Sequence, residues 1–317
     1  MKRNLVVIGI AITCIIQNAT ADEASLVSAL QNAYSACVGI DDELADLKKM
    51  AGINTAITGV GTGLGAGATI VGLVKASTDK EMDEIDVKLS KLRELESTNR
   101  TKTPTEQEAE QFQQEFQSSY ASSIQEIDRL TKEREELNSK SKSLGNWRTG
   151  LLAGNTVTNV AGAIIAGTNR TDGNLQNQID NCKNAIGELR RAKAQASIDG
   201  IDVGEASMII SACEGFEMVD ISKINERAKG AMVSSVVGAT TGIAGVITSG
   251  MANSDSVRDQ GENGTRTDKE KNLNATSNVL AGASTVASAT ATVFNAMQIK
   301  AIKDVANVAA KCTEVLK

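Results

Sequence analysis

What chemistry this chain can do is set by five cysteines and by the absence of histidine. Cys37, Cys182, Cys213 and Cys312 lie far apart, so none has the paired spacing of a zinc site or a dithiol redox motif. Without histidine the chain lacks the usual general base, the Ser–His and Cys–His nucleophile systems and the commonest metal ligand. Carboxylates do cluster, as at Asp41, Asp42 and Glu43, but on a charged helix such a run reads as a solvated face. The run Gly61–Gly67 has the glycine density of a dinucleotide-binding loop without the preceding strand that such a loop requires. The reading is therefore non-enzymatic, with no catalytic, cofactor-binding or metal-ligating residue assigned.

The cysteines gain meaning from where the chain goes. Lys2 and Arg3 followed by the apolar Leu5–Ile16 and by Ala19-Thr20-Ala21 read as a secretory signal peptide, 1–21, cleaved before Asp22. Cys14 raises lipidation, but Thr13 fits that poorly and simple cleavage is expected. Export to a periplasmic, cell-surface or secreted location, with an even number of cysteines left, implies two disulfides, four buried free thiols being the plainer alternative.

The elements that position the cysteines are helical. Apolar residues recur at steps of three and four through Cys37, Ile40, Leu44 and Leu47, through Leu175, Ile179, Cys182 and Ile186, and through Ile302, Val305, Ala309 and Cys312. Around Cys213 the stripe is rougher, because Glu217 and Asp220 fall on it. Each cysteine thus sits on a seam between helices.

Four stretches carry no charge at all: Met50–Val74, Thr149–Asn169, Gly230–Ser254 and Asn272–Gln298. Each is long enough to cross a bilayer. Small residues recur in them every four positions, at Gly59, Gly63 and Gly67, at Gly150 and Gly154, at Gly238 and Gly242, and at Ala283, Ala287 and Ala291. Such spacing predicts a glycine-zipper-like groove for close helix packing.

Pairing Cys37 with Cys182 makes facing residue numbers sum to 219 and brings the first two uncharged stretches side by side. Pairing Cys213 with Cys312 gives 525, aligns the other two and puts a tip at 262–263, where Asn263-Gly264 is a turn signal. These bridges within hairpins are preferred to Cys182–Cys213 with Cys37–Cys312. The first register sets Gly72 opposite Trp147. The expected fold is all-α: an elongated antiparallel four-helix bundle of two long hairpins, 22–196 and 205–317, joined by a turn at 197–204. The first hairpin carries a coiled-coil extension at about 77–145, with Met82, Ile85, Leu89 and Leu92 facing Ile124, Ile127, Leu137 and Leu144. Thr103-Pro104-Thr105-Glu106 starts its returning helix. From Cys37 to the tip is about 90 Å of helix, a rod.

Seven aromatic residues in 317 positions leave Ala, Gly, Ile, Leu and Val to form the core, which suits close-packed helices. Without residues 1–21 the chain has 31 basic and 39 acidic residues, net −8, which argues against binding nucleic acid. Phe112, Phe116 and Tyr120 form one helix stripe near the long tip, a candidate partner contact. Two functions are weighed. One is a disulfide-clamped structural or interaction rod of a bacterial envelope, its partners itself or other envelope proteins. The other is a membrane-active protein, a pore former or a four-span integral protein. Asn54, Asn155, Asn159 and Asn278 favour the first, because polar groups are costly in lipid.

Overall fold

The computed structural model describes residues 21–100, 109–171 and 173–316, and side chains within 23–98, 120–171 and 173–316. The signal segment, the cap at Thr103–Glu106 and the side chains of Phe112 and Phe116 lie outside the described residues.

The fold is all-α, a bundle of long antiparallel hairpins without strands among the described residues. Helix α1 spans Ala21–Cys37, α2 Ile40–Arg100, α3 Ala109–Thr168, α4 Gly173–Ile198, α5 Gly204–Cys213, α6 Ser222–Ala252 and α7 Asp268–Leu316.

Two helices expected to run through a cysteine instead end there. After Cys37 the backbone turns at Gly39, whose φ of +98° favours glycine, and α2 restarts with Asp41, Asp42 and Glu43 in its first turn. Those carboxylates complement the positive end of the helix. The step from Cys37 to Ile40 is therefore a corner. After Cys213 a 3-10 turn, Glu214–Met218, buries Phe216. The Asp220 carboxylate then accepts the Ser222 backbone N–H at 3.0 Å to start α6. Hydrogen bonds from Ser222 hold its pKa below the usual carboxylate range. Glu217 and Asp220 roughen the seam because the helix has already stopped. Helix α4 closes through Gly200 at φ +78°, with the Ile201 N–H returning to the Ala196 carbonyl at 2.9 Å. Between α6 and α7 the chain turns where expected, through Asn263 (φ +57°) and Gly264 (φ +74°).

The described residues form two compact units, each drawing on several helices. The first comprises the described parts of Met1–Ala56, Ala163–Val233 and Ala291–Lys317. Its core is conventionally apolar, with Leu44, Ile179, Ile186, Leu189, Ile224 and Ile302 fully buried around the cysteines. Disulfides join Cys37 to Cys182 and Cys213 to Cys312, with Cα atoms 4.8 and 4.5 Å apart. The two bridges are neighbours: the sulfurs of Cys37, Cys182 and Cys312 all lie within 4.8 Å of one another.

The second unit is Ile57–Gly162 with Ser234–Thr290. At one end Ile85 and Leu89 of α2 pack against Leu130 of α3, with Leu92, Ile127 and Leu137 partly buried beside them. Further along, Arg134 pairs with Asp86 at 2.5 Å, and the Tyr120 hydroxyl donates to Glu96 at 3.3 Å.

Candidate functional site

The second unit is built inside out where its chain carries no charge. Its buried positions advance in steps of three and four, as a coiled-coil seam does. On α2 they are Thr58, Gly61, Gly65, Ala68 and Gly72; on α3 Arg148, Leu152, Asn155 and Asn159. On α6 they include Ser235, Gly238, Gly242, Gly245 and Ser249, and on α7 Ser277, Ala281, Ser284 and Ser288. The apolar cluster there reduces to Ala68, Leu152 and Ala281.

Amides and hydroxyls fill this seam and bond to one another. Asn155 donates to the Ser284 hydroxyl at 2.8 Å, and Asn159 to the Ser288 hydroxyl at 2.8 Å. Ser288 in turn reaches the Asn155 side-chain oxygen at 3.0 Å. Ser284 donates to the Gly238 carbonyl at 2.8 Å and Ser277 to the Gly245 carbonyl at 3.1 Å, across from one helix to another. A buried polar group is costly unless bonded, so this network is what lets a polar seam exist.

The large apolar side chains are outside. Val60, Ile70 and Leu73 of α2, Val157 and Val160 of α3, Ile243 and Ile247 of α6, and Val279 and Val286 of α7 are all exposed, Val157 by 67 % and Val279 by 72 %. Between them the threonines turn their hydroxyls inward along their own helices. Thr62 donates to the Thr58 carbonyl at 2.9 Å, Thr241 to Val237 at 2.8 Å and Thr290 to Val286 at 2.9 Å. Such back-bonding leaves the outer face without a free donor at these positions.

The portions of the uncharged stretches that belong to the first unit follow the same rule. Asn54 donates to the Asn295 side-chain oxygen at 2.9 Å and Gln298 to the Asn169 carbonyl at 2.8 Å, all buried. Ile53, Ile164, Val293 and Met297 are exposed.

One residue beyond two of these stretches the second unit buries charge. Lys75 pairs with Asp79 at 2.7 Å, Arg266 with Asp79 at 3.1 Å and with Glu270 at 3.1 Å, and the Ser141 hydroxyl donates to Asp79 at 2.5 Å. Arg148 is fully buried beside Gly72 and Asn278, and its Nε and one terminal nitrogen have no hydrogen-bond partner among the described residues. In the loop after α6, Asp255 pairs with Lys142 at 2.9 Å, which holds its carboxyl below the usual range.

The expected glycine zipper is corrected in detail. A Cβ added at Gly59, Gly63 or Gly150 would meet nothing within 4 Å, whereas one at Gly61 would lie 2.4 Å from the Thr158 hydroxyl and one at Gly65 2.6 Å from that of Thr285. The tight positions on α2 are thus offset by two from the expected ones. Gly67 and Gly154 face Leu151 and Leu64 at 3.5 and 3.0 Å. Gly238 and Gly242 are tight, against Asn159 and Thr156. Ala287 and Ala291 are buried, whereas Ala283 is exposed, because it falls one residue off the seam phase set by Ala281 and Ser284. Gly72 packs on Arg148 and not on Trp147, which is 67 % exposed. The charged neighbour displaced the aromatic one because Arg148 falls on the seam phase and Trp147 does not. Of the aromatic stripe, Tyr120 is half-buried and bonded to Glu96. The chain matches no family model, no curated protein and no solved structure.

Proposed function

We propose that this protein is a non-enzymatic, four-span integral membrane protein whose uncharged helical stretches lie in lipid. The observation that carries the reading is the reversed polarity of those stretches, with Asn155, Asn159, Ser284 and Ser288 inside and Val157, Val160, Val279 and Val286 outside. In water the arrangement would expose valine and isoleucine while hiding amides, against the usual order. In lipid it is the favourable order, since small residues and interhelical hydrogen bonds hold transmembrane helices together.

Length supports it too. Stretches of 21 to 27 uncharged residues give about 32–40 Å of helix, enough for a hydrocarbon core of about 30 Å. Four described helices are long and apolar enough to cross a membrane. The asparagines that weighed toward a water-soluble envelope rod are the residues that fill the seam. The bundle suits lipid as folded, without turning any helix over.

The test is fractionation of cells making the full chain. The protein is expected in the membrane pellet after alkaline carbonate washing and in solution only with detergent. Recovery in the detergent-free soluble fraction would overturn the reading in favour of the rod.

A further inference from the structure

Charge does not orient such a protein, because Lys and Arg flank all four uncharged stretches at both ends. The cysteines do. Resting on the four-span reading, we infer that the chain inserts in one orientation, with every cysteine-bearing segment in an oxidising compartment and residues 75–148 and 255–271 in the opposite one.

The argument is one of parity. Between Cys37 and Cys182 lie two uncharged stretches, between Cys213 and Cys312 lie two, and between Cys182 and Cys213 lies none. An even number of crossings returns the chain to the side it left, so all four cysteines share one side. A disulfide can close only between residues on the same side, and both observed bridges, Cys37–Cys182 and Cys213–Cys312, meet that condition. With only three stretches crossing, one bridge would have to pass through the bilayer. The segments that emerge on the other side, 75–148 and 255–271, contain no cysteine. Disulfides persist where the medium is oxidising and are rare where glutathione or thioredoxin keeps thiols reduced. The distribution of cysteine therefore assigns the sides that the distribution of lysine leaves open.

Two reporters read this directly. Met218, 86 % exposed in the 3-10 turn after Cys213, and Lys132, exposed on α3, are each replaced by cysteine in the full chain and treated with a membrane-impermeant maleimide on spheroplasts. Met218→Cys is expected to label on intact spheroplasts and Lys132→Cys only after the membrane is permeabilised. Trypsin added to spheroplasts carrying the unmodified chain gives the same reading without a substitution: cuts within 170–229 and none within 75–148 are expected. Labelling of Lys132→Cys, or tryptic cleavage within 75–148, on intact spheroplasts overturns the orientation. Loss of the protein from the carbonate-washed pellet would instead remove the four-span reading on which the orientation rests.

Discussion

Asn159 of α3 donates to the hydroxyl of Ser288 on α7 at 2.8 Å, in an interior where the side chains of Asn155, Asn159, Ser284 and Ser288 complete one another. Replacing Asn159 by leucine removes one donor to Ser288, which keeps its bonds to Asn155 and to the Ser284 carbonyl, and forces a branched apolar group toward the bare backbone of Gly238, whose added Cβ would already lie 2.7 Å from Asn159. The expected cost is about 0.5–1.5 kcal/mol for each hydrogen bond lost, before any overpacking. Thermal unfolding in mild detergent measures it, and an unchanged midpoint would show that the network does not hold these helices.

Glycines two residues apart on α2 are expected to respond with opposite signs. At Gly63 the side-chain position is open, so Gly63→Ala removes a helix-breaking residue and gains up to about 1 kcal/mol. At Gly61 the added carbon meets the Thr158 hydroxyl, and Gly61→Leu wedges the helices apart at about 1–3 kcal/mol or more. Gly242→Leu should behave like Gly61→Leu, because its Cβ would fall 2.4 Å from the Thr156 hydroxyl. Equal stability of the Gly61 and Gly63 variants would contradict the observed helix phase.

Lysine on the outer face separates lipid from water as the surrounding medium. On a solvated surface Val286→Lys changes stability by no more than about 0.5 kcal/mol. At mid-bilayer the same charge costs about 2.5–3.5 kcal/mol. Reduced recovery of Val286→Lys in the carbonate-washed pellet is expected; recovery equal to that of the unmodified chain would count against lipid contact at this position.

The buried charges beyond the uncharged stretches are not equivalent. Asp79 accepts from Lys75, Arg266 and Ser141, so Asp79→Asn strips buried Lys75 of its carboxylate at about 3–5 kcal/mol, while Arg266 keeps Glu270. Arg148 has two unbonded nitrogens, and Arg148→Met is expected to be neutral or stabilising. Urea unfolding of both variants decides the order, which the opposite ranking would refute.

Much of this architecture is legible in residue numbers. The first register, 219, is matched by Gly61 against Thr158 and nearly by Asp86 against Arg134; the second, 525, by Gly245 against Leu280 and nearly by Gly230 against Phe294. Helical seams keep register over tens of residues, so two cysteine pairs are enough to align everything between them. The corners at Gly39 and Glu214 are not legible from apolar periodicity, because a short turn can return the chain with its steps of three and four intact. Nor does a spacing of four identify the packed face when glycines crowd both faces of α2. The signal that does so is the three-and-four rhythm of polar and small residues themselves, Ser277, Ala281, Ser284, Ser288, Ala291 and Asn295, which marks the seam as leucines mark it in a coiled coil.

The two disulfides also decide how the chain would carry a pull. Each closes a loop, spanning 145 and 99 residues, and only α4 beyond Cys182, the turn at Asp199–Val203 and α5 connect the loops in series. A force applied between the segment before Cys37 and the segment after Cys312 would cross the first loop through one sulfur pair, run along residues 183–212 and cross the second loop through the other. The uncharged stretches would bear none of it. Whatever tugs on this protein from its cysteine-bearing side would stretch some thirty residues and leave the long hairpins slack.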